Sequence, residues 1–181
     1  MYSENAVILP RDPRQIKKVC LGLDGIGVEE LVAIARYGAV VEFSAQFIRR
    51  VRSCRGVIER FVAENRLIYG VTTGFGENVR YVITPEEASA LQRNVILSCT
   101  TSVGRPLERE QVRAIMVMSM LNTGAGHSGI SLEMISMYRD LLNQGITPYA
   151  PGEGSVGRNC SLYQHCPSPK GARAIWASTD R

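Results

Sequence analysis

Tyr69 to Gly76 reads Tyr-Gly-Val-Thr-Thr-Gly-Phe-Gly, which sets a phenol beside glycines and hydroxyls. Glycine gives up the most backbone entropy on ordering and breaks side-chain periodicity, so the stretch is neither a helix nor a strand but a loop. Such a loop can present Tyr69 as a proton-handling group while Gly70, Gly74 and Gly76 let backbone come close to a ligand. A plain connector between two helical segments explains the same composition equally well. His127, in Gly124-Ala-Gly-His-Ser-Gly129, is the next side chain with acid, base or ligand chemistry. Its only companion is His165, and no carboxylate stands at metal-ligand spacing. A structural histidine hydrogen-bonded to backbone is the stronger reading, and no metal site is expected. Cys20, Cys54, Cys99, Cys160 and Cys166 are odd in number and contain no C-x-x-C pair. They read as reduced thiols in a cytoplasm rather than as a disulfide framework.

The elements that must position these residues are mostly helical. The polar, proline-punctuated start reads as an irregular arm, and Val19 to Leu23 as a short strand. Val28, Leu31, Val32 and Ile34 suit one face of a helix from Val28 to about Arg36. Ser44 can cap the next helix, which runs to about Glu64 with Phe47, Ile48, Val51, Val57, Ile58 and Phe61 inward and Asn65 as its stop. Gly56 inside it costs about 1 kcal/mol relative to alanine. Thr84-Pro85-Glu86-Glu87 is a capping signal for a helix to about Thr100. Leu91, Val95 and either Ser98 or Cys99 lie at spacings that let the end of that helix face whatever Tyr69 faces. A further helix fits Glu108 to Asn122, where Ala114 to Leu121 is apolar nearly all round and should be buried on every side. The helices available in this chain are too few for that, which argues for a larger protein or an oligomer. Its methionines read as core filler rather than a cofactor box. A Ser131-capped helix should end near Gln144, with Gly145 as the stop. Pro148, Pro151, Gly152, Gly154 and Gly157 then read as an extended loop. The expected fold class is mainly α with glycine-rich loops, without repeats and without a boundary before Gly157.

Composition narrows the function classes. At 181 residues and 45% hydrophobic, the chain can supply a sizeable core for one domain or a large piece of one. It shows no signal-peptide pattern and no apolar run of the roughly 18 residues a membrane span needs, so a cytoplasmic protein is expected. Of the net charge of +4, Arg158, Lys170, Arg173 and Arg181 against Asp180 leave the body before Arg158 near neutral. Arg49, Arg50, Arg52, Arg55 and Arg60 share one helix, where a solvated face explains them more cheaply than a phosphate-binding stripe. Nucleic acid is therefore not an expected partner.

Four motifs in order, Tyr69-Gly-Val-Thr-Thr-Gly-Phe-Gly76, Leu91-Gln-Arg-Asn94, Gly126-His-Ser-Gly129 and Gly154-Ser-Val-Gly157, resemble the N-terminal part of the histidine and aromatic amino acid ammonia-lyases. Each is weak alone, but the set in register is specific, and the resemblance covers roughly Leu21 to Gly157. It implies a mostly helical homo-oligomer that removes ammonia from an amino acid substrate to leave an α,β-unsaturated acid. In that family a methylidene-imidazolone group, self-formed from an Ala-Ser-Gly triplet, takes up the substrate amine. A tyrosine on a mobile loop removes the β-proton. Tyr69 matches that tyrosine, and Gly70, Gly74 and Gly76 would permit the loop to close. Ser98 and Cys99 match the substrate-selecting pair. Histidine ammonia-lyases usually have Ser-His there, and the phenylalanine and tyrosine enzymes Phe-Leu or His-Leu. Ser-Cys fits neither: the serine suits histidine, while the cysteine removes a polar partner for an imidazole. Two small residues closing a helix is the alternative. Thr72 stands where asparagine is usual.

The sequence departs from the family after Gly157. The triplet should follow directly, but the chain reads Arg158-Asn159-Cys160-Ser161-Leu162-Tyr163. The electrophile cannot form from Arg-Asn-Cys, so no cofactor is expected in this chain. Residues 158–181 have no helical or strand periodicity and read as a non-family tail, separate from an ammonia-lyase-like region over 1–157. The abrupt change suggests truncation or a shifted reading frame. Sliding the codons of His165 to Gly171 by one base allows Ile-Ala-Leu-Ala-Leu-Lys-Gly, which resembles the family's next helix. By descent the chain reads as a lyase retaining Tyr69 but inactive as written. The alternative is a non-catalytic helical module that associates with itself or with intact lyase subunits.

Overall fold

Alternation along two short segments builds the first layer. In β1 (Lys18–Leu21), Val19 and Leu21 are buried while Lys18 and Cys20 face out. In β2 (Val40–Phe43), Val41 is buried and Glu42 exposed. The strands run parallel with Val19 opposite Val41 and Leu21 opposite Phe43, and α1 (Val28–Tyr37) forms the crossover between them. This is the βαβ arrangement that parallel pairing requires. On the outer face Lys18 Nζ meets Glu42 Oε1 at 2.7 Å. These elements come from a computed structural model, which describes residues 11–74, 76–83, 87, 90–91, 93–94 and 103–153.

The helices begin and end on local chemistry. Gly38, at φ 70°, closes α1 in the left-handed conformation that a side chain would resist. Val28, expected on the inner face of α1, is instead 73% exposed, because it stands at the first helical position before the apolar stripe starts. In α2 (Ala45–Ala63) the Ser44 hydroxyl accepts from the Phe47 N–H at 3.1 Å. Phe47 and Val51 are fully buried, whereas Val57, Ile58 and Phe61 are only half-buried as α2 leaves the core. In α3 (Arg109–Gly124) the buried face is Val112, Met116, Val117 and Met120. Met118 on the other side is 51% exposed, in keeping with the expectation that the helices of this chain are too few to bury the segment all round. In α4 (Leu132–Asn143) Ser131 caps the Met134 N–H at 3.2 Å, and Gly145 at φ 76° follows the end.

Two polar side chains join the layers. Arg113 is 2% exposed on α3. It donates to the carbonyls of Ile34 and Ala35 near the end of α1 and of Leu142 near the end of α4. Burial pushes its guanidinium down to about 10, so it remains a cation at neutral pH. The Asn143 amide both accepts from the Val41 N–H at 2.8 Å and donates to the Val41 carbonyl at 3.0 Å. That pair of bonds caps the open edge of β2 as a neighbouring strand would.

The remaining elements are short. The expected loop at Pro151 and Gly152 is partly a strand: β3 (Val103–Pro106) pairs antiparallel with β4 (Pro151–Glu153). Glu87, Ala90, Leu91, Arg93 and Asn94 are helical, in keeping with the helix expected from Thr84 to Thr100. Its capping residues Thr84 to Glu86, and Ser98 and Cys99 at its far end, lie outside the described residues. So do Gly154 to Gly157 and everything after them. The two described cysteines, Cys20 and Cys54, are free thiols. Among the described residues no helix is long and apolar enough to cross a membrane.

Candidate functional site

The loop that leaves α2 turns back on itself within a few residues. Asn65, at φ 53°, and Gly70, at φ 72°, reverse the chain, and the Val71 and Thr72 N–H groups both donate to the Ile68 carbonyl at 3.0 Å. Thr73 then forms an isolated antiparallel bridge with Val82. The Gly74 N–H donates to Tyr81 O at 3.2 Å and the Ile83 N–H to Thr72 O at 3.0 Å. A 3-10 turn over Gly76–Arg80 fills the tip. The glycine-rich run is thus a loop, as its composition requires, but one closed by hairpin-like backbone pairing.

Tyr69 sits at the head of this hairpin, 48% exposed. Its hydroxyl oxygen accepts a hydrogen bond from the Gly76 N–H at 3.0 Å, across the width of the loop. Gly76 reaches that position at φ 61°, with open space where a Cβ would stand. The φ requirement, not crowding, is what favours glycine there. Gly74 differs: it is buried, has no positive φ, and contributes its paired N–H.

Two threonines that the sequence did not mark as site residues hold the chain around the tyrosine. The Thr72 hydroxyl accepts from the Ile68 N–H at 2.8 Å and donates to Arg66 O at 2.6 Å. Thr73, 3% exposed, accepts from the Gly70 N–H at 3.3 Å. Its own O–H lies within reach of Gly74 O at 3.2 Å and Ile68 O at 3.4 Å. The available signal was the pair of threonines itself, since short hydroxyl side chains bond nearby backbone in turns.

The second glycine-rich motif serves packing. A Cβ at Gly124 would stand 2.0 Å from Phe47 Cζ, one at Gly126 2.6 Å from Arg50 Cγ, and one at Gly129 2.5 Å from Ile58 Cγ1. The turn between α3 and α4 therefore lies directly against α2, and Arg50 and Arg55 donate to Ala125 O and Gly129 O. Arg55 also pairs with Glu59 at 2.8 Å, while Arg49, Arg52 and Arg60 are exposed. His127 does not fill the expected role of a structural histidine bonded to backbone. It is exposed on this turn and makes no hydrogen bond to a described residue, because the turn is held by glycine contacts and by Ser128 Oγ donating to Thr123 O at 2.7 Å. No group of His, Cys, Asp or Glu among the described residues could hold a metal ion.

Comparison with known proteins covers most of this architecture. Residues 26–165 match the family model described as aromatic amino acid lyase. The histidine ammonia-lyase of Alkaliphilus oremlandii is 37% identical over 147 residues, which are 81% of this chain and 29% of that protein. The crystal structure of an ergothioneine-degrading enzyme from Treponema denticola superposes with a TM-score of 0.77 at 29% identity, over 81% of this chain and 30% of that one. Histidine ammonia-lyase from Trypanosoma cruzi gives a TM-score of 0.70 at 33% identity, over 77% of this chain and 27% of that one. The chain spans under a third of the length of these relatives.

Proposed function

The chain belongs to the aromatic amino acid lyase family, and from that premise we propose that it carries the base-bearing N-terminal part of an amino acid ammonia-lyase, with Tyr69 as the base. The reaction removes a β-proton and the α-amino group of an amino acid and leaves ammonia and an α,β-unsaturated acid. The β-proton is weakly acidic, so its removal needs an oxygen base held at a fixed place in a site that excludes water. The observation that carries the reading is Tyr69 at the head of a closed hairpin, its hydroxyl on the Gly76 N–H at 3.0 Å. An amide donor at that oxygen stabilises negative charge there and holds the ring in one orientation. Gly70 and Gly76, with left-handed backbone, are the points at which the loop can pivot, and Gly74 anchors it. Histidine is the favoured substrate because the chain is 37–38% identical to histidine ammonia-lyases, with phenylalanine and tyrosine as alternatives. Ser98 and Cys99 are assigned to the side-chain end of the pocket.

The family's methylidene-imidazolone group supplies the electrophile that takes up the substrate amine. The residues of this chain do not fit it: Arg158-Asn159-Cys160 follow Gly157, and no Ala-Ser-Gly occurs in the sequence. On this reading residues 1–157 are the lyase-like region and 158–181 a tail without the triplet, although the family match itself runs to residue 165. This chain then supplies base and loop without the electrophile and has no lyase activity alone. The purified chain is incubated with histidine, phenylalanine and tyrosine while the ultraviolet absorbance of the unsaturated acids is followed. No turnover is expected, and appreciable turnover refutes the reading.

A second reading, a non-catalytic module that binds itself or intact lyase subunits, draws on Leu67, Tyr81, Val82 and Met118, each more than half exposed. Sedimentation of a strictly monomeric species that fails to bind an intact lyase counts against it.

A further inference from the structure

The atoms around Tyr69 are held with unequal care. Its ring is half exposed, yet the Ile68 N–H one residue before it and the Gly70 N–H one residue after it are each tied by a side-chain hydroxyl. We infer that Thr72 is a positioning residue for Tyr69, its hydroxyl fixing the Leu67–Ile68 peptide that leads into the tyrosine so that the phenol lands on the Gly76 N–H. The inference rests on the assignment of Tyr69 as the base.

The geometry is specific to a hydroxyl. Thr72 Oγ1 uses its proton on Arg66 O at 2.6 Å and a lone pair on the Ile68 N–H at 2.8 Å. One small group thereby links the exit of α2 to the Leu67–Ile68 peptide, one step ahead of the peptide that enters Tyr69. Thr73 secures the following peptide through the Gly70 N–H, and its own backbone bridge to Val82 holds it in place. The Ile68 carbonyl entering Tyr69 is held by the Val71 and Thr72 N–H groups, and the Gly76 N–H holds the hydroxyl end of the ring. Valine has the shape of threonine but neither donor nor acceptor, so it would release the Ile68 N–H and Arg66 O together. The Thr72 carbonyl would keep its bond from the Ile83 N–H, so the hairpin pairing itself would persist. The predicted loss is therefore in the placement of Tyr69, not in the existence of the loop.

The Gly76 amide reports that placement, since it bonds Tyr69 and not Thr72. Its hydrogen exchange is measured by NMR in the full chain and in the Thr72→Val, Thr72→Ser, Tyr69→Phe and Tyr69→Phe/Thr72→Val variants. Thr72→Val should speed Gly76 exchange about tenfold, to the level of Tyr69→Phe, as expected for loss of one hydrogen bond. It should add nothing further in the Tyr69→Phe background, and the core amides of α1 and α3 should be unchanged. Thr72→Ser, which keeps the hydroxyl, should stay within about twofold of the parent. Unchanged exchange in Thr72→Val overturns the inference. So does equal acceleration with and without the Tyr69 hydroxyl, which would make Thr72 a stabiliser of the hairpin alone. If the valine variant does not fold, Thr72→Ser decides: retained protection supports the inference and lost protection overturns it. The readout is independent of turnover. If Thr72 and Tyr69 are coupled but Tyr69 proves dispensable in an assembled lyase, only the proposed function falls.

Discussion

Arg113→Met tests how three helices are held in one arrangement. The parent guanidinium bonds Ile34 O at 2.9 Å, Ala35 O at 3.2 Å and Leu142 O at 3.1 Å. These carbonyls lie near the C-terminal ends of α1 and α4, where the helix dipoles are negative and a cation is favoured. Methionine has a similar unbranched stem but no donor. Leu142 O keeps the Gly145 N–H at 3.1 Å, whereas each of the two α1 carbonyls left unsatisfied costs about 1–3 kcal/mol, or about 2–6 kcal/mol for the pair. Against this, burial lowers the guanidinium to about 10, and relief of that penalty returns about 3 kcal/mol. The net expectation is a loss of up to about 3 kcal/mol, the lower end of the usual cost of breaking a buried charge interaction from one side. With a urea slope of about 2 kcal/mol per molar, the unfolding midpoint should fall by up to about 1.5 M. Arg113→Lys should lose less, about 1–2 kcal/mol, because one ammonium satisfies one helix end but lacks the fork to reach both. Urea titrations followed by circular dichroism and tryptophan-independent probes provide the measurement. A methionine variant within 0.5 kcal/mol of the parent, on the scale of an ordinary surface change, would refute the reasoning.

Two glycines inside helices should respond with opposite signs. Gly56→Ala, where a Cβ meets nothing within 4 Å, should stabilise by about 1 kcal/mol in thermal or urea unfolding. Gly124→Ala would set its Cβ 2.0 Å from the ring of fully buried Phe47 and should destabilise by about 1–3 kcal/mol. Equal effects would show that Phe47 moves freely. For pH, the Arg36 guanidinium, bonded at 2.6 and 2.8 Å, holds the Glu110 carboxyl below its ordinary 4.5. Its contribution to stability is then present above pH 4.5 and lost as pH falls through the folded-state value. Arg36→Met should raise the Glu110 midpoint in an NMR titration, remove this contribution at neutral pH and flatten the fall of stability below pH 4.5, so that parent and variant converge in acid; an unmoved midpoint would sink this assignment.

What the sequence by itself determined was what local chemistry decides. Ser44 and Ser131 mark helix starts because a cap acts within three residues, and Gly145 marks an end because a left-handed residue favours glycine. The mainly helical class followed from those signals and from apolar periodicity. The register of the glycine-rich motifs pointed to the ammonia-lyase family and so to Tyr69. Only the tertiary structure decided the rest, because it depends on partners far apart in the chain. β2 and β4 have no periodicity long enough to announce them, and their strands exist through pairing with β1 and β3. Arg113, at the edge of an apolar run, is buried only because two helix ends arrive to meet it. His127 looks like a functional or structural side chain beside its glycines, yet the glycines are needed for contact with α2 and the histidine stays in solvent. The Tyr69 loop divides in the same way: residue type makes it a loop, and folding brings the Gly76 amide to the phenol.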